Sequence, residues 1–97
     1  MDDIQVDSRT GDVKQGAFGP TLANLDPKDQ KTLKDRAYGR EIAYLEDDGT
    51  IRTNRYGATI GFAGSDGTVR KDGPFGAVVG RVQPPHVHIK AALLLIR

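Results

Sequence analysis

Gly49-Thr-Ile-Arg-Thr-Asn-Arg-Tyr-Gly-Ala-Thr-Ile-Gly-Phe62 is followed, eighteen residues on, by Gly67-Thr-Val-Arg-Lys-Asp-Gly-Pro-Phe-Gly-Ala-Val-Val-Gly-Arg81, the same pattern with one residue inserted. Eighteen residues earlier stands Lys31-Thr-Leu-Lys-Asp-Arg-Ala-Tyr-Gly-Arg-Glu-Ile-Ala-Tyr44, and twenty before that Gly11-Asp-Val-Lys-Gln-Gly-Ala-Phe-Gly-Pro-Thr-Leu-Ala-Asn24. The four copies share one grammar: an apolar residue, a basic one, a short turn, aromatic-glycine, then an apolar residue followed by a small one. A fixed period of this length marks a repeat architecture in which no unit can bury its apolar face alone.

Each copy reads as a β-hairpin. Val69 between Thr68 and Arg70 gives a short strand of period two. The aromatic-glycine pair follows, with glycine expected to accept the positive φ of a hairpin exit. The return strand carries Leu22, Ile42, Ile60 or Val79, and the next residue is Ala23, Ala43, Gly61 or Gly80. Small residues at one repeated strand position imply close approach of neighbouring backbones. Asp48-Gly49 and Asp66-Gly67 supply turns between units.

The chain ends read as halves of a fifth copy. Ile4-Gln-Val-Asp-Ser-Arg-Thr-Gly11 is in step with Ile60 to Gly67, and Val82-Gln-Pro-Pro-His-Val-His-Ile-Lys90 is in step with Phe62 to Arg70. The expectation is a single domain over residues 1–97 with units at about 11–24, 31–44, 49–62 and 67–81, and a split unit from 87–90 plus 4–6. An open solenoid would need polar caps at both ends, whereas complementary half-units favour closure, which protects strand edges. The fold class expected is therefore all-β: a closed, propeller-like ring of about five short hairpins, the N-terminal strand completing the last one. A second reading over part of the chain has Asp26 capping a helix with Pro27 at its first position, running to about Gly39. It leaves only Leu33 and Ala37 as an apolar stripe.

Asp66-Gly-Thr-Val-Arg70 followed by Gly76-Ala-Val-Val-Gly-Arg-Val82, and the stretch from Asp48 to Phe62, resemble the units of the bacterial five-fold β-flower repeat proteins. The resemblance covers most of residues 4–90 and implies a five-fold ring of hairpins. Gly11-Asp-Val-Lys14 is a looser match, and Lys31 stands where the pattern has glycine. The resemblance implies no chemistry that transfers to particular residues.

Composition narrows the function classes. Charged residues form 28% of the chain and hydrophobic ones 37%, the balance of an ordinary folded domain. A net charge of +1 provides no overall field toward nucleic acid or membrane, so nucleic acid is not an expected partner. The absence of cysteine excludes disulfides, thiolate metal sites and thiol chemistry. The start, Met-Asp-Asp-Ile-Gln-Val-Asp, lacks the pattern of a signal peptide, which gives a cytoplasmic location as the default expectation. The longest apolar run, Ala91 to Ile96, is too short for a membrane span; it suggests a buried plug or a homo-oligomer contact.

Known catalytic signatures are missing. No Walker-type or dinucleotide loop is present, and Ser8 and Ser65 have no matching histidine partner. His86 and His88 would share one face of a strand, but two ligands without cysteine make a weak metal site, and none is assigned. No cofactor is implied. Phe18, Tyr38, Tyr56 and Phe75 occupy one repeat column, read here mainly as packing between hairpins, with stacking on a ligand as the other use. Lys14, Lys34, Arg52, Arg70 and Lys90 follow the first-strand apolar residue in all five copies. They read either as outward strand residues whose stems cover apolar surface or as an anion site. The function expected is non-enzymatic: a binding or assembly module displaying a repeated surface, with an unidentified protein or anionic ligand as candidate partner. The alternatives are a ligand-binding or enzymatic pocket at the ring centre and a structural subunit of a larger particle.

Overall fold

Strands form where the repeat alternates apolar and polar residues, and chain reversals fall at its glycines and aspartates. The computed structural model describes residues 4–16 and 18–96. Nine strands follow one another: β1 (Ile4–Val6), β2 (Asp12–Gln15), β3 (Thr21–Leu25), β4 (Thr32–Lys34), β5 (Glu41–Leu45), β6 (Thr50–Arg52), β7 (Thr59–Ala63), β8 (Thr68–Lys71) and β9 (Val78–Arg81). They make one antiparallel sheet in which sequence order is also spatial order. A helix, α1 (Val87–Leu95), ends the described chain. Residues 26–44 hold β4 and β5, so the helix beginning at Pro27 does not form.

The hairpins β2–β3, β4–β5, β6–β7 and β8–β9 share one irregularity. Each register shifts at the equivalent step, between Val13 and Lys14, Leu33 and Lys34, Ile51 and Arg52, and Val69 and Arg70. The residue skipped on the return strand is Leu22, Ile42, Ile60 or Val79, so the repeated apolar position is a β-bulge. Bulges bend their strand and increase the local twist, and four in register curl the sheet. The small residue after each bulge faces the first-strand apolar residue directly: Val13 opposite Ala23, Leu33 opposite Ala43, Ile51 opposite Gly61 and Val69 opposite Gly80.

The ring does not close. β1 pairs with β2, β9 pairs with β8, and the two lie at opposite edges of an open sheet. The expected split unit is absent because residues 87–90 are helical, and five-fold symmetry goes with it. The physical reason lies in the last segment. Pro84 and Pro85 offer no backbone N–H to a sheet ladder, and Ala91-Ala-Leu-Leu-Leu95 consists of strong helix formers. The helix takes the place of the fifth hairpin. Ile89 to Leu93 are buried without a break, more than one turn of about 3.6 residues, so the sheet encloses α1 instead of meeting one stripe of it.

The small strand residues make room for this helix. A Cβ on Gly61 would collide with Leu95 and with the Arg70 carbonyl of the neighbouring strand, and one on Gly80 would lie 2.8 Å from a Leu94 methyl. They therefore admit helix side chains, not a converging ring of strands. Val13, Leu33, Ile51 and Val69, all fully buried, line the same inner face. The tail read as a plug or an oligomer contact is consumed inside the chain as far as Leu93, leaving Ile96 exposed. Among the described residues no helix is long and apolar enough to cross a membrane.

Candidate binding surface

Reversals alternate between the two turn-bearing edges of the sheet, at the ends of its strands and distinct from the edge strands β1 and β9. On one edge, the connecting turns are built on aspartates that accept backbone hydrogen bonds. Asp7 accepts from Arg9 at 2.8 Å, Asp29 from Lys31 at 2.8 Å, Asp48 from Thr50 at 2.9 Å and Asp66 from Thr68 at 3.0 Å. For Asp7, Asp48 and Asp66 these N–H donors hold the carboxyl below its ordinary value. Partial burial pushes the Asp29 carboxyl up, but the backbone N–H groups of Lys31 and Thr32, the Thr32 hydroxyl and the Arg55 charge outweigh it, and it too lies low. Gly11, Gly49 and Gly67 turn with φ between 83° and 101°. Where Lys31 replaces glycine, the preceding Gln30 takes the left-handed conformation at φ 57°.

The opposite edge carries the hairpin tips. Each is closed by an equivalent backbone bond: Gln15 donates to Pro20, Asp35 to Arg40, Thr53 to Ala58 and Lys71 to Ala77, at 2.9–3.1 Å. The glycine after each aromatic does not have the expected positive φ. It is needed for space instead, because a Cβ on Gly19 or Gly76 would run into the carbonyl of Gln15 or Lys71. The preceding aromatic stands away from the sheet at each tip. Phe18 is 102% exposed, Tyr38 100%, Tyr56 90% and Phe75 98%. Packing between hairpins, the main expectation for this column, does not occur.

The basic column divides. Lys14, Lys34, Arg52 and Arg70 lie on the outer face of the sheet, while Lys90 is fully buried on α1, where its ammonium donates to the Gln83 carbonyl at 2.7 Å. The structure thus brings together four of the five. Lys34 lies 3.6 Å from Asp26, and Arg52 Nε lies 3.3 Å from Glu46 without the alignment of a hydrogen bond. Arg52 and Arg70 also donate to the Gly57 and Gly76 carbonyls of their own tips, at 3.2 and 3.0 Å. Lys14 makes no ion pair with any described residue.

Two clefts cross the outer face beneath the central tips. One, of about 540 Å³, lies among Asp29, Thr32, Glu41, Asn54, Arg55 and Tyr56. The other, of about 570 Å³, lies among Arg9, Asp12, Asn24, Lys28 and Tyr38, and the two share Asp26 and Lys34. Their walls are fixed by internal bonds. Asn24 donates to Asp12 and to the Thr10 carbonyl, each at 2.9 Å, and the Thr32 hydroxyl donates to Asp29 at 2.8 Å. Arg55 lies 3.5 Å from Asp29 and covers the Tyr44 ring at 5.7 Å. Sequence reasoning did not single out Asp29, Asn54 or Arg55: Asp29 is one of the repeated turn aspartates and looks like a turn residue only, no repeated column contains Asn54 or Arg55, and the curl of the sheet gathers the three. His86 precedes α1 with left-handed backbone and His88 lies in its first turn, so they do not share a strand face. Among the described residues no three His, Cys, Asp or Glu side chains are grouped to hold a metal. No family model, curated protein or solved structure matches this chain.

Proposed function

We propose that the protein is a non-enzymatic binding module whose contact surface is the row of aromatic hairpin tips and the outer face below them. The observation that carries this reading is the exposure of an aromatic ring at all four equivalent tips. A lone exposed aromatic needs no explanation, but apolar groups repeated along one edge mark an interaction surface. Tip rings do not support the core, since they touch neither α1 nor the buried apolar face, so folding does not account for them. Adjacent tips are two strands apart, about 9.5 Å at sheet spacing, which suits a ligand that offers several contacts in line. Rigid rings with few rotatable bonds bind at low entropic cost.

The anionic ligand suggested by the basic column has less to support it. Three of its four outer-face members already meet carboxylates or carbonyls, and Lys90 lies in the core. The experiment compares capture from native lysate by the unmodified chain and by a variant with Phe18→Ser, Tyr38→Ser, Tyr56→Ser and Phe75→Ser. Components retained by the first and lost by the second support the reading. Identical captured sets contradict it.

A further inference from the structure

We infer that the two outer-face clefts form one subsite for a neutral, polyhydroxylated chain, an oligosaccharide, stacked on Tyr38 and Tyr56. The inference rests on the binding-module reading and specifies its ligand. The chemistry of the walls selects the class. The charged side chains of the two linings balance, with Arg9, Lys28, Lys34 and Arg55 against Asp12, Asp26, Asp29 and Glu41, and Lys34–Asp26 and Arg55–Asp29 lie at ion-pair distance, so the site carries no net charge that would demand an ion. Beyond these contacts the walls offer hydrogen-bonding capacity of mixed donor and acceptor type: the Asn54 NH2, whose oxygen already accepts from the Tyr56 backbone N–H, further lone pairs on the Glu41 carboxylate, and the other N–H groups of the Arg55 guanidinium. A hydroxyl both donates and accepts, and a sugar presents several in fixed directions, which matches such a wall.

The rim supplies the complementary half. Sugar rings carry apolar C–H faces as well as hydroxyls, and an exposed aromatic is a flat partner for them. Tyr38 and Tyr56 stand on neighbouring tips and each lines one of the clefts. Because the clefts share Asp26 and Lys34, a ligand can run from one to the other across the β4–β5 hairpin. The site is also preorganised: Thr32, Asp29 and Arg55 hold one another, and the Arg55 backbone N–H donates to Glu41 at 3.3 Å. Groups already held in place lose little freedom on binding.

The test is a two-dimensional amide NMR titration of the full chain with cellohexaose, chitohexaose, maltohexaose and mannohexaose in turn, and separately with inorganic phosphate. At least one neutral hexasaccharide should shift the amides of residues 38–41 and 54–56, and phosphate should not. Tyr38→Ala with Tyr56→Ala should weaken that binding about tenfold or more, as loss of two stacking faces implies. Tyr38→Phe with Tyr56→Phe should restore most of it, since the ring is kept; a melting curve shows that each variant is folded. Silence toward all four sugars, binding that the alanine variant keeps, or a response to phosphate alone would overturn the inference. Tip-dependent capture from lysate alongside silence toward sugars would leave the binding module standing and remove only its ligand class.

Discussion

Residue-level causes differ from the obvious ones at several positions. The repeat pattern marked Gly61 and Gly80 as sites of close approach, and that was legible; the object approached was not, because the helix that fills the space lies elsewhere in the chain. Gly61→Val should therefore push Leu95 out and destabilise the fold by about 1–3 kcal/mol, the usual cost of overpacking, as read by urea denaturation. Leu33→Ala should cost about 2–5 kcal/mol, since Leu33 is fully buried. The turn aspartates contribute to the acid limit. Asp7, Asp29, Asp48 and Asp66 all lie below the ordinary 3.8 in the folded chain. A depressed folded value means stability that is present above the unfolded value and lost as pH falls through the folded one. The melting temperature should hold from neutral pH to about 5 and fall below about 4. Asp48→Asn with Asp66→Asn should flatten that fall, because asparagine keeps the turn acceptor without titrating.

At the level of elements, hairpins were readable and the helix was not. Alternation in Thr68-Val-Arg70 and its counterparts, with a turn grammar that repeats, specifies strands β2 to β9 locally. Val87-His-Ile-Lys90 also alternates, and over so short a run helix and strand patterns are indistinguishable. Ala91 to Leu95 decides the matter by extending the run with residues that lose little freedom in a helix. A buried lysine further hides the helix: Lys90 looks like an outward strand residue until its ammonium reaches the Gln83 carbonyl. Since α1 fills the inner face, a chain ending at Gln83 should lose cooperative thermal unfolding altogether. A truncated chain that melts as the full one does would place the core elsewhere.

For the whole molecule, an open bulged sheet curled round its own C-terminal helix leaves two edges with different characters. The connecting-turn segments 7–11, 26–31, 46–49 and 64–67 carry seven carboxylates against three cations, and the tips carry the aromatics. The aromatic column was visible in the sequence, but its exposure was not. Periodicity assigns a face only to strand residues, and a ring in the turn belongs to neither face. The candidate site was legible as a column and illegible as a cleft, because Asp29 and Arg55 meet only across the curl. The central claim is that the tip rings serve binding and not folding. Thermal melting of the chain with Phe18→Ser, Tyr38→Ser, Tyr56→Ser and Phe75→Ser tests it most directly. A midpoint within a few degrees of the unmodified chain is expected, as exposed substitutions shift stability by at most about 0.5 kcal/mol each, in either direction. A fall of more than about 20 °C, on the order of 3 kcal/mol or more for a domain of this size and beyond what four exposed substitutions add up to, would show that the rings hold the fold together and contradict the claim.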